Sequence, residues 1–251
     1  MPPERSRTLA VGTRDELTTR VVREVTAAAA RAIGSRGRFT LAIAGGSVAS
    51  TFLPRLAVAD IPWSSVDIFW CDERAVPLDD PESNAGQALA LLKNTPMGAH
   101  AVLHVMTTTE PASDAALDHD ARQYAALLER ISGTPVVLDL VLLGVGEDGH
   151  IASLFPDRAS LNDTGSLVLP ITDSPKPPPR RLTLTLPVLT HARRVIVATF
   201  GDSKAFAMQQ ALEDAASRLP VALVWQRSEH ISVLLDAAAA SRLHSAPARV
   251  S

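Results

Sequence analysis

The sequence predicts an α/β fold: a mostly parallel open sheet flanked by helices, Rossmann-like, with additional strands late in the chain. Three observations lead there. Short apolar runs alternate with segments of helical periodicity along the whole chain, the pattern of strands crossing over through helices. The run at 138–143 has Leu or Val at five of its six places, so it lacks the polar alternation of a half-exposed strand and suits one covered on both faces. Glycine-rich or charged residues follow the runs at 39–44, 66–70 and 138–143, and open α/β sheets bind ligands outside the carboxyl ends of their strands.

Taken in order, 8–11 is a first short strand. Thr13-Arg-Asp-Glu16 then has the form of a capping box and opens a helix that Gly34 or Gly37 can end. The strand at 39–44 turns through Gly45-Gly46-Ser47 into an apolar segment, 48–58, expected to break or kink at Pro54. The strand at 66–70 runs into Cys71-Asp72-Glu73-Arg74. A turn-rich loop, 77–84, precedes a helix over 85–92, and 101–106 reads as a short strand. An alanine-rich helix spans 112–131 and Gly133 ends it. After the strand at 138–143, prolines stiffen 173–179 into an extended loop; 181–186 alternates as a strand, 194–200 is another, and a helix runs from Lys204 to Glu213. The runs 221–225 and 231–235 read as the last strands. No internal repeat interrupts this order, and residues 1–251 are read as a single domain.

Composition narrows the function. A chain of 251 residues with 46% hydrophobic and 20% charged side chains can bury a full core, and a net charge of -3 argues against general nucleic-acid affinity. A single cysteine, Cys71, excludes an internal disulfide and suits a reducing compartment. The charged start lacks the apolar core of a secretory signal, and no stretch is long and apolar enough to cross a membrane, so a cytoplasmic protein without membrane partners is expected.

Gly144-Val-Gly146-Glu-Asp-Gly149 matches the dinucleotide pattern G-x-G-x-x-G, but Pro156 arrives too soon for the helix that a nucleotide-binding unit needs. Gly45-Gly46-Ser47-Val-Ala49 approaches the nucleophile elbow G-x-S-x-G, with Ala49 in place of the last glycine. The better physical reading has the backbone N–H groups of Gly45, Gly46 and Ser47 facing an anion, with a helix N-terminus behind them. Asp148 and His150 are too close together, and too isolated from other donors, to suggest a metal site. Cys71 reads as a buried small residue, with a reactive thiol as the alternative.

Five segments in order then carry a resemblance: Gly45-Gly46-Ser47; residues 70–77 with Ser83-Asn84; residues 143–156; Arg181-Leu-Thr; and Gly201-x-x-Lys204-Ala205. Together they resemble the 6-phosphogluconolactonases. The related glucosamine-6-phosphate deaminases share the glycine turn and Asp148-Gly-His-Ile-Ala, but differ where this chain reads Ser153-Leu-Phe-Pro156 and Asp72-Glu-Arg74. The resemblance implies a sugar-phosphate lactone as substrate, opened by water without cofactor or metal; a monomer is expected. It implies His150 as general base, with Asp148 or Glu147 orienting the imidazole. Gly45, Gly46, Ser47, Asp72, Arg74, Arg181 and Lys204 are the implied substrate-binding residues.

Overall fold

The computed structural model describes residues 5–109 and 113–244, with the backbone of 248–249. The elements follow in chain order: β1 (Ser6–Val11), α1 (Arg14–Arg36), β2 (Phe39–Ile43), α2 (Gly46–Leu56), β3 (Val66–Trp70), β4 (Asp72–Arg74), α3 (Asn84–Leu92), α4 (Pro96–His100), β5 (Val102–His104) and α5 (Asp114–Ser132). Then come β6 (Leu140–Leu143), β7 (Val168–Ile171), β8 (Arg181–Leu184), α6 (Leu186–Thr190), β9 (Val195–Thr199), α7 (Ala205–Glu213), α8 (Pro220–Arg227), β10 (His230–Leu235) and β11 (Ala248–Arg249). Eight strands form one sheet in the order β11-β1-β10-β9-β6-β2-β3-β5, and every neighbouring pair is parallel. The expected mostly parallel sheet is therefore observed. β4, β8 and β7 form a small antiparallel sheet beside it.

Every residue of β2, β3 and β6 is buried, Thr40 and Asp67 included, as suits mostly apolar strands with helices on both faces. The sheet residues and the inward faces of the helices join one hydrophobic cluster that also takes in Leu182 and Leu184 of the small sheet. The capping box is present: the Thr13 hydroxyl accepts from the Glu16 N–H, and Glu16 Oε2 accepts from the Thr13 N–H at 2.7 Å. Gly37 ends α1 in the left-handed region at φ 77°, where glycine has no Cβ to strain.

The chain leaves β2 first for β3 and β5 on one side and later returns to lay β6 on the other. The strand order thus reverses between β2 and β6, and the two glycine turns, after Ile43 and after Leu143, open side by side at that crevice. Beside it, Cys71 changes sheets: its N–H donates to Ile43, while its carbonyl accepts from Leu184 of β8 at 2.8 Å. This thiol is fully buried, and burial, with the charge of Asp72, pushes its pKa well up, which favours the packing reading over the reactive one.

Three expectations differ from the structure. Residues 221–225 lie in helix α8, because an apolar run of that length does not distinguish strand from buried helix; Pro220 at the first helical turn is the signal for the helix. α2 runs through Pro54 to Leu56 without breaking there: the proline removes the single bond its N–H would have made to Ser50, and the helix closes with the Ala57 N–H donating to Leu53. The segment 72–74, which reads as charge beyond a strand end, is itself β4, held by pairing with β8 rather than by any strand propensity of its own. The predicted start of the long helix at residue 112 lies outside the described residues; the helix is described from Asp114. Among the described residues no helix is long and apolar enough to cross a membrane.

Tyr124 on α5 joins β3 to the edge strand β5, accepting from the Trp70 N–H and donating to the His104 carbonyl, each at 2.9 Å. Tyr124→Phe is expected to orphan both groups and lower unfolding stability by about 1–3 kcal/mol, measured by urea denaturation.

Candidate active site

The two glycine turns and the small sheet enclose a cavity of about 150 Å³ lined by Gly45, Gly46, Ser47, Asp72, Arg74, Asn84, Gly144, Gly146, His150 and Arg181, among others. Seven of the nine residues singled out from the sequence line it, and Asp148 stands behind one of them, His150. Lys204 does not line the cavity; it lies on the turn after β9, and its charge acts on Glu147.

His150 is held by its own loop. Its Nδ1 meets Asp148 Oδ1 at 2.5 Å, its backbone N–H donates to the same oxygen, and its ring packs on Phe155 with centroids 4.6 Å apart. Burial disfavours the Asp148 anion. The hydrogen bonds and charge of His150, with Lys176 nearby, outweigh that cost and pull the carboxyl down to about 2. An ionised acceptor at Nδ1 fixes the tautomer with the proton on Nδ1 and the lone pair on Nε2. Among the described residues Nε2 has no protein partner, so it is left for a molecule in the cavity. Of the two candidate orienting acids, Asp148 makes this contact; Glu147 instead pairs with Lys176 at 3.2 Å.

The glycines follow from the same geometry. A Cβ on Gly146 would stand 2.0 Å from His150 Cε1 and Nδ1, so the imidazole can lie over the turn only where no side chain exists. A Cβ on Gly45 would meet the Asn84 carboxamide, also at 2.0 Å. Gly46 takes φ 60° as α2 begins, and no side chain caps that helix. The N–H groups of its first turn therefore lie at the cavity wall, where an anion can accept from them. Among the described residues Ser47 has no histidine or carboxylate on its hydroxyl, so the relay that a nucleophile elbow requires is not assembled here.

Opposite this turn stands a polar wall. Asp72, 4% exposed, accepts from the Ser153 hydroxyl at 2.7 Å and from Asn84 Nδ2. Arg74 donates to the carbonyl and carboxylate of Glu82, while its buried Nε and the buried Asn84 Oδ1 find no partner among the described residues. Two unsatisfied groups at one cavity mark a place prepared for a polar ligand. Arg181 is buried and already committed: it donates to the carbonyls of Lys176, Pro177 and Pro178 and to Ser153. Its charge faces the cavity, but these N–H groups hold the proline loop.

Asn84, Ser153 and Lys176 are contributors to which the sequence reading gave no role. Asn84 stands at a helix start and Lys176 is the one cation in the proline loop, so each carried a local signal, but only the fold brings them to His150. Among the described residues no group of three or more His, Cys, Asp or Glu side chains could hold a metal ion.

This arrangement defines an α/β-sheet protein with a histidine–aspartate pair beside an anion-competent pocket at the strand-order reversal. The family model described as glucosamine-6-phosphate isomerases/6-phosphogluconolactonase matches residues 12–233, and the chain belongs to that family. It is 43% identical over 221 residues to the 6-phosphogluconolactonase of Rattus norvegicus, with 85% of this chain and 84% of that protein covered. The Homo sapiens 6-phosphogluconolactonase is 40% identical over 218 residues, covering 84% and 83%. The solved 6-phosphogluconolactonase structure from Trypanosoma brucei superposes with a TM-score of 0.82 at 27% identity, covering 96% of this chain and 100% of that one.

Two outcomes follow from the turn. Gly146→Ala is expected to displace the imidazole and cut kcat about 10²-fold while the far-ultraviolet circular dichroism stays native, read by steady-state kinetics and spectroscopy side by side. Because the Asp148 carboxyl falls from an ordinary 3.8 to about 2, the folded state favours its anion. That contribution is complete above about pH 5 and is lost as pH falls toward 2, so the stability advantage of the wild type over Asp148→Asn is expected to hold steady at neutral pH and to shrink on acidification, as followed by denaturant titration at each pH.

Proposed function

We propose that this protein, acting as a single domain, hydrolyses 6-phospho-D-glucono-1,5-lactone to 6-phospho-D-gluconate, with His150 as general base. The observation that carries this reading is the His150–Asp148 pair, with Nε2 left open to a cavity that also presents the 45–47 turn and Arg74. The 6-phosphogluconolactonase relatives support the substrate. Histidine's ordinary pKa of about 6.5 suits it to take a proton from water near neutral pH.

In the proposed sequence, Nε2 removes a proton from water as the oxygen attacks the lactone carbonyl, and Asp148 stabilises the imidazolium that forms. The carbonyl oxygen becomes an oxyanion, for which free backbone N–H groups of the 144–149 turn or a nearby cation are the candidate partners. Collapse re-forms the carbonyl and breaks the bond to the ring oxygen, which leaves with the proton from Nε2. The product is a carboxylic acid, ionised at neutral pH, and a free hydroxyl.

The phosphate is assigned to Gly45, Gly46 and Ser47 at the start of α2, with Arg74 across the cavity. Charge-assisted bonds of about 1.5–3 kcal/mol each make this the main anchor. Asp72 and Arg181 shape the wall between phosphate and carbonyl, and Lys204 contributes charge at the rim.

Freshly prepared lactone is expected to release acid faster with the protein than without it, recorded in a pH-stat, and His150→Ala should lower kcat about 10²- to 10⁴-fold. Rates equal to the uncatalysed opening would remove the proposal. Ammonia release from glucosamine 6-phosphate would replace it with the deaminase reaction.

A further inference from the structure

The opposite end of the large sheet carries a second cavity, of about 400 Å³, between the end of α1 and the amino ends of β6, β9 and β10. Arg31, Arg36, Arg193, Arg194 and His230 line it, with Asp139 as the one acid. In a chain of net charge -3 this gathering needs a physical account. Cations at the end of a helix offset its dipole, and Arg36 in the last turn of α1 serves that purpose. Arg193 and Arg194 come from a different part of the chain, immediately before β9.

The guanidiniums are fixed from behind. Asp139 Oδ1 holds both Arg36 and Arg193, while its Oδ2 accepts from the N–H and hydroxyl of Thr40. Arg194 is held by Glu24 at 2.7 Å and by Ser232 at 2.8 Å, and Arg20 shares that glutamate. Two carboxylates therefore stand behind four guanidiniums. No ion pair engages Arg31 among the described residues, and each anchored arginine uses only part of its five-donor fork.

We infer that this groove is a second ligand site, one that binds a phosphate or phosphomonoester dianion. Its volume accommodates a molecule of sugar-phosphate size, arginine forks match phosphate oxygens in pairs, and the carboxylates behind them reduce the ordering cost of binding. The site is separate from the catalytic cavity, since the strands place the two at opposite ends of one sheet.

The test is a titration of the uniformly ¹⁵N-labelled full chain with inorganic phosphate and with glucose 6-phosphate, against sodium chloride at matched ionic strength. Saturable shifts of the amides of Arg36, Gly37, Arg193 and Arg194 are expected with both phosphates and not with chloride. The double variant Arg31→Gln/Arg193→Gln should weaken that response by about tenfold or more and keep wild-type lactone turnover. Should that variant fail to fold, Arg31→Gln alone, which breaks no ion pair, should weaken it by a smaller factor. Shifts that do not saturate, that chloride reproduces, or that appear only at Gly45–Ser47 and His150 would overturn the inference.

Discussion

The carboxylate of Glu73, 3% exposed, is the joint on which the site depends. One oxygen accepts from the N–H groups of Arg74 and Asn84, and the other from the N–H of Ala85 and the hydroxyl of Ser83. It thereby binds the end of β4 to the start of α3 and satisfies donors that the helix leaves open. Burial pushes its pKa up, the backbone hydrogen bonds oppose that shift, and the charge of Asp72 adds to it. With this joint made, Asn84 reaches back to Asp72, Arg74 turns to Glu82, and the polar wall stands opposite the first glycine turn.

Much of this architecture was legible in the chain because local chemistry and tertiary demand agree there. The apolar runs of β2, β3 and β6 are long enough to need cover on both faces, and the capping box at Thr13 announces α1. An acid on His150 was legible as Asp148 or Glu147, and the choice of Asp148 was not, because it depends on Lys176 claiming Glu147. What failed was what depends on partners far along the sequence. β4 is three charged residues made into a strand by β8, and the joint at Glu73 spans a loop whose residues look merely exposed. Arg181 lines the cavity, but nothing in Arg181-Leu-Thr reveals that three loop carbonyls will claim its donors.

The parallel sheet separates two kinds of charge control. At the carboxyl ends of its strands, backbone N–H groups, a helix start and isolated side chains are aimed into a small space. At the amino ends, arginines are mounted on buried acids around a wider groove. The same topology produces both, since each loop at one end must be answered by a loop at the other.

The contact between Gly45 and Asn84 also restricts how the chain can change over time. The carboxamide fills the space that any side chain at residue 45 would take, while its Nδ2 donates to Asp72. A larger residue at 45 requires a smaller one at 84, and that change in turn removes one of the partners of Asp72. The two positions, on separate turns, therefore drift only together, and a homologue that departs at one should carry the compensating departure at the other.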